Sequence, residues 1–184
     1  LHPSILIVTA LRDELDHPGV LYTGLGKLNA TYALTKALQH STPSLVVNYG
    51  TAGGLKPNLS GLLEVAQVLQ VDMLAEPLAP RGSTPFDPTP SVLESGHPGV
   101  VCGSGDHFVT EADAWLSSQG VDVVDMELFA IASVCRREGV PWRAFKFISD
   151  HADRESGDSW QAHISSGRME FLETIDHLRL APHP

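Results

Sequence analysis

Short apolar runs alternate with amphipathic stretches along the chain, and the breaks fall at glycine, proline and clustered polar residues. Ser4 to Thr9 (SILIVT) is continuous and rich in β-branched residues, the pattern of a strand buried on both faces. The polar turn Arg12-Asp13-Glu14 follows, and Val20 to Thr23 predicts a second short strand. Gly24-Leu25-Gly26-Lys27 opens a helix over Leu28 to His40, where Leu28, Tyr32, Thr35 and Leu38 fall near helical spacing. Ser41-Thr42-Pro43 stops it. Leu45 to Tyr49 predicts the next buried strand, ending at the glycine loop Gly50-Thr51-Ala52-Gly53-Gly54, and Leu62 to Val71 predicts another with a bend. Ala75 to Gly99 holds six prolines and reads as the one loop-like stretch. Beyond it come a strand (Gly99 to Gly103), a helix (Glu111 to Ser118), a strand (Val121 to Val124) and a helix (Met126 to Glu138) closed by Gly139-Val140-Pro141. A strand over Trp142 to Ile148 and a last helix over Trp160 to Leu178 complete the series, with a fraying tail from Ala181 to Pro184. Strands alternating with helices predict an α/β sheet with helices on both faces.

Composition narrows the function classes. The 184 residues carry 12 Lys plus Arg against 22 Asp plus Glu, a formal net charge of −10. A phosphate-backbone binder needs clustered cations, so nucleic acid is disfavoured as a partner. No apolar run approaches the roughly 20 residues that span a bilayer, which disfavours a membrane protein. The first residues, Leu1-His2-Pro3, show no basic region or cleavage site, so no signal peptide is expected. The two cysteines, Cys102 and Cys135, make no disulfide framework and read as free thiols of a reducing cytoplasm. The length suits a single domain over 1–184.

Ligands of open α/β sheets bind at the carboxyl ends of strands. Here those ends carry Glu14, the Gly50 to Gly54 loop, Ser104-Gly105-Asp106-His107-Phe108, Asp125-Met126-Glu127 and Ser149-Asp150, which sets carboxylates, glycines and an aromatic on one rim. The glycine loop lets backbone amides of Thr51, Ala52 and Gly53 approach a ligand, or is a plain turn. Asp150 ends the apolar run Ala144 to Ile148, so it suits a general acid with a raised pKa or, equally, a helix N-cap. Asp125 and Glu127 suit a site or favourable charge at a helix N-terminus. Gly24 to Lys27 lacks the spacing of a Walker or dinucleotide loop and reads as a tight turn. The histidines show no HxxxH or HExxH spacing, so no metal and no cofactor are expected. Trp115, Trp142 and Trp160 read as packing rather than a stacking platform.

Taken in order, six segments resemble the nucleoside phosphorylase and nucleosidase superfamily, in particular its methylthioadenosine/S-adenosylhomocysteine nucleosidase branch. They are Thr9 to Glu14, Thr23 to Ala30, Val47 to Leu55, Ser104 to Val109, Val124 to Glu127 and Ile148 to Asp153. The resemblance implies a three-layer α/β/α fold with a central mixed, twisted sheet. It implies hydrolysis of the N-glycosidic bond of a purine nucleoside in a homodimer. By analogy Asp150 would protonate the leaving base and Glu14 would activate water. Glu127 would bind the ribose hydroxyls, with Met126 packed on the sugar, Phe108 stacked on the base and the Val109 backbone reading its edge. Thr51, Ala52, Gly53 and Ser149 would complete the substrate contacts. Lys146 stands where the branch carries an arginine beside the acid, and would orient a carboxylate or water as a point charge.

Phosphorylases of the superfamily carry a Gly-Asp-Pro-x-Arg segment near the first strand and an arginine before the glycine loop. Here Leu11-Arg12-Asp13-Glu14 and Asn48-Tyr49 occupy those places, which favours water over phosphate as nucleophile. A phosphorylase and a non-catalytic nucleoside-binding protein are the alternatives. Only Leu15 to Thr23 separates Glu14 from Gly24, where the branch places an extra strand pair, so a smaller sheet is expected.

Overall fold

The computed structural model describes residues 4–109, 113–151, 160 and 163–180. In chain order the elements are β1 (Ile5–Thr9), β2 (Val20–Tyr22), α1 (Lys27–Leu38), β3 (Leu45–Gly54), β4 (Leu62–Gln70), β5 (Val92–Glu94), β6 (Val100–Ser104), α2 (Ala114–Ser118), β7 (Val123–Asp125), α3 (Leu128–Glu138), β8 (Trp142–Asp150) and α4 (Arg168–Leu180).

The eight strands form one mixed sheet in the order β2-β1-β3-β7-β6-β4-β5, with β8 paired to both β3 and β4. The pairings of β3, β8, β4, β6 and β7 close on themselves, so the middle of the sheet curls into a ring. Strand β4 makes the turn by changing partners. Leu62 to Glu64 run antiparallel to β8, and the residues after them run parallel to β6 with a register break between Val65 and Gln67, where the sequence predicts a bend.

Alternation along the strands sends neighbouring residues to opposite faces. Val8 and Val46 pack with Ala30, Leu34 and Leu38 of α1 and with Leu128, Ile131 and Cys135 of α3. Ile7 and Val47 point the other way, to Phe171 and Ile175 of α4, along with Leu15, Tyr49 and Phe145. Tyr49 and Phe171 stack with ring centroids 4.4 Å apart. Leu116 of α2 joins a third cluster with Leu69, Val71, Val121 and Val124. Helix α3 stops at Gly139, whose φ of 68° is the left-handed C-terminal geometry glycine adopts without strain; Val140 N–H then reaches back to the Cys135 carbonyl at 2.9 Å.

Three departures from the sequence expectations shape the site. First, Gly50 to Gly54 is strand, not loop: β3 continues its ladder with β8 through Gly50, Thr51 and Ala52, shifts register, and then pairs with β7 at Gly53 and Gly54. Neighbours on both sides override the low strand preference of glycine. Second, β8 extends through Ser149 and Asp150. Third, the proline-rich stretch contains β5, a three-residue edge strand with only Leu93 buried, too short to show alternation. Part of the predicted helices at Glu111 and Trp160, and the tail, lies outside the described residues; α2 begins at Ala114 and α4 at Arg168, and Trp160 and His163 are also helical. Among the described residues no helix is long and apolar enough to cross a membrane.

Candidate active site

A cavity of about 400 Å³ opens where β3, β6, β7 and β8 end. Every candidate residue except Lys146 lines it: Glu14, Thr51, Ala52, Gly53, Phe108, Val109, Met126, Glu127, Ser149 and Asp150. Leu25, Asp106, His107, Val124, Asp125 and Trp160 complete the lining. Five of these side chains are carboxylic acids, and none of the described lining residues is Lys or Arg.

Glu14 is buried in the short connection between β1 and β2. Its carboxylate accepts four hydrogen bonds. Thr9 Oγ1 and the Leu11 N–H donate to Oε2 at 2.9 and 3.1 Å, and the Thr51 N–H and Oγ1 donate to Oε1 at 2.9 and 3.0 Å. The connection is itself pinned by the Tyr22 hydroxyl, which donates to the Leu15 carbonyl and accepts from the His17 N–H. A Cβ built on Gly50 would lie 3.3 Å from both Glu14 Oε1 and Lys146 Nζ, so a bare backbone is what lets the strand pass between them.

Asp150 is the last residue of β8 and is buried at the cavity wall, where Ser149 Oγ donates to its Oδ2 at 2.8 Å. Glu127 immediately precedes α3 without capping it. Its Oε1 instead accepts the Gly26 N–H at 2.8 Å, while Asp106 Oδ1 accepts the Lys27 N–H at 2.7 Å. Helix α1 has no side-chain cap of its own, so two carboxylates from distant parts of the chain satisfy its exposed N–H groups and sit at the positive end of its dipole. Burial and the neighbouring Asp125 carboxylate push the Glu127 pKa up to about 7, against the pull of Lys146 and the Gly26 N–H.

Lys146 lies behind the cavity wall. Its ammonium, with a side chain 1% exposed, pairs with Asp125 Oδ2 at 2.7 Å. Burial opposes the charge, but the surrounding acids, Asp125 foremost, outweigh it and hold the ammonium above its usual range. Asp125 also accepts from Ser104 Oγ, and from the Leu128 N–H at 2.9 Å, at the first residue of α3. The carboxylate that Lys146 orients is therefore Asp125, a pairing set by the side-by-side placement of β7 and β8 against β3.

Sequence reasoning missed two contributors. Trp160, taken as packing, lines the cavity and donates its indole N–H to Thr51 Oγ1 at 2.8 Å. No periodicity marks it. Asp106 stands on the predicted rim, but its contact with α1 depends on a tertiary meeting that spacing does not show. Trp142 is buried in the core and Trp115 lies under the Arg81 guanidinium at 4.3 Å, both packing roles. Both cysteines are free and buried. Among the described residues no group of three His, Cys, Asp or Glu side chains converges to hold a metal ion.

Comparison with known proteins adds relatives to this geometry. The chain is 30% identical over 179 residues to a 5′-methylthioadenosine/S-adenosylhomocysteine nucleosidase of Exiguobacterium sp., a match covering 84% of this chain and 73% of the relative. It is 31% identical over 179 residues to the nucleosidase of the same description from Haemophilus ducreyi, covering 85% and 77%. In three dimensions it is similar to the Helicobacter pylori 5′-methylthioadenosine/S-adenosylhomocysteine nucleosidase, with a TM-score of 0.85 and 25% identity over 96% of this chain and 99% of that one. The futalosine hydrolase of Helicobacter pylori shares the fold, with a TM-score of 0.86 at 24% identity over 96% and 98%. The model of the phosphorylase superfamily matches residues 14–179, and the chain belongs to that superfamily.

Proposed function

We propose that this protein hydrolyses the N-glycosidic bond of a purine nucleoside of the methylthioadenosine/S-adenosylhomocysteine class, releasing the free base. The observation that carries the proposal is one cavity bringing together the buried acids Glu14, Glu127 and Asp150 beside an aromatic ring and a bare β-strand. Asp150 gives a proton to N7 of the purine, so the base leaves neutral as the C1′–N9 bond breaks. The sugar carbon becomes oxocarbenium-like, and nearby carboxylates stabilise that charge. Water supplies the new C1′–O bond, and Glu14 takes its proton. Acid and base on two sides of the bond follow the logic of an inverting glycosidase. Glu127 holds the ribose hydroxyls and Met126 packs on the sugar. Phe108, 47% exposed at the rim, stacks on the base while the Val109 backbone reads its edge. Thr51, Ala52, Gly53 and Ser149 line the remaining wall, and Lys146 acts from behind through Asp125.

Phosphate as nucleophile is disfavoured by the lining itself. A dianion would enter a site with five carboxylic acids and no Lys or Arg among its described residues. We take the chain as one nucleosidase-like domain acting as a homodimer in the cytoplasm, where the two buried thiols suit a reducing compartment.

The test is a panel of purine nucleosides assayed for free base by chromatography, with and without phosphate. Adenine released from methylthioadenosine or adenosylhomocysteine without phosphate supports the hydrolase. Release only with phosphate makes the protein a phosphorylase, and tight binding of intact nucleoside makes it a binding protein. Asp150→Asn should lower the rate at least about 100-fold; retained activity removes Asp150 from the acid role.

A further inference from the structure

We infer that Trp160 is a positioning residue for Glu14, acting through the hydroxyl of Thr51. An indole N–H only donates and an ionised carboxylate only accepts, whereas a hydroxyl has one proton and two lone pairs. Trp160 Nε1 lies 2.8 Å from Thr51 Oγ1, which lies 3.0 Å from Glu14 Oε1. The hydroxyl therefore accepts from the indole and commits its single proton to the carboxylate. The relay has one direction, Trp160 to Thr51 to Glu14, and each donor polarises the next.

Position makes this more than a packing contact. Thr9 and Leu11 hold Oε2 and do not line the cavity, whereas Thr51, Trp160 and Glu14 all do. The Thr51 N–H that also donates to Oε1 belongs to the backbone of β3 and cannot turn, so among the described residues the Thr51 hydroxyl is the one rotatable donor on Oε1. Without the indole, that hydroxyl can turn its proton into the cavity and leave Oε1 less firmly aimed. Trp160 thus couples the cavity wall to the orientation of the base. The residue comes from beyond the last strand, whereas Glu14 and Thr51 come from the first half of the chain.

This inference rests on the functional reading above, and the experiment separates the two. Trp160→Phe keeps an aromatic six-membered ring at the wall and removes the N–H together with the five-membered ring that carries it. It should lower kcat by up to about tenfold, the scale of one hydrogen bond between neutral groups, and leave KM within about twofold. In a Thr51→Val background the same replacement should have no further effect on kcat, because the relay is already cut. A rise in KM with kcat unchanged makes Trp160 a wall and overturns the inference, as does an undiminished effect in the Thr51→Val background. A second readout needs no turnover. With three tryptophans in the chain, the indole N–H resonance missing from the Trp160→Phe spectrum identifies Trp160. That resonance should move upfield in Thr51→Val and stay in place in Thr51→Ser, while the Trp115 and Trp142 resonances report an intact fold. An unmoved Trp160 resonance in Thr51→Val overturns the relay even if no nucleoside is ever cleaved; inactivity of the unaltered protein overturns only the functional reading.

Discussion

Replacing Lys146 by Met tests the electrostatics behind the cavity. Met keeps most of the volume of the stem, so the packing cost is small, under about 1.5 kcal/mol. What is lost is a fully buried ammonium 2.7 Å from Asp125, a side chain that is itself 0% exposed. Removing one partner of such a pair costs about 3–5 kcal/mol, because the remaining charge is stranded in a medium that solvates it poorly. Asp125 keeps donors from Ser104 Oγ and the Leu128 N–H, which places the expected loss toward the lower end of that range. With a urea m-value of about 2–3 kcal/mol/M, the midpoint should fall by about 1–2 M. Tryptophan fluorescence in a urea titration reads it directly. The deficit should shrink in an Asp125→Asn background, where no charge is left to strand. A loss below about 1 kcal/mol at neutral pH, or an equal loss in the Asp125→Asn background, refutes the account.

Further measurements probe other parts of the molecule. Glu127 has its pKa raised from 4.5 to about 7, so the folded chain holds that proton more tightly than the unfolded chain. Its contribution is complete below the unfolded value and is lost as pH rises through about 7, at most about 3 kcal/mol; Glu127→Gln should remove that slope from the urea midpoints between pH 4.5 and 8. Gly50→Ala sets a methyl 3.3 Å from Glu14 Oε1 and Lys146 Nζ, and base release should slow by about tenfold or more; an unchanged rate shows that the two side chains yield freely. Phe171→Ala empties a fully buried position stacked on Tyr49 and should cost about 3–5 kcal/mol, read as a urea midpoint shift with little change in KM.

Much of the fold is legible in local pattern because burial on both faces leaves continuous apolar runs, as in β1 and the start of β3. The strand ends are legible too, which is why Glu14, Glu127 and Asp150 can be named together before any coordinates. What spacing cannot show is pairing. Gly50 to Gly54 reads as a loop from composition and becomes strand only because β8, nearly a hundred residues later, lies beside it. Lys146 reads as a charge in an apolar strand, but its choice of Asp125 depends on the register of β7 and β8. Trp160 is invisible for the same reason, since a hydrogen bond across 109 residues leaves no local trace.

The ring of β3, β8, β4, β6 and β7 has a consequence for how the chain behaves among its own copies. A strand inside a closed ring offers no free row of N–H and C=O groups to a stranger. Among the described residues the sheet's two open margins are β2 and β5, and each is three residues long. At about 3.3 Å per residue, either margin presents roughly 10 Å of backbone as a template. Long, flat margins recruit further strands and seed aggregates, whereas margins this short give a second chain little to zip against. The curled sheet that gathers the carboxylates at one end thus also protects the protein against edge-to-edge association.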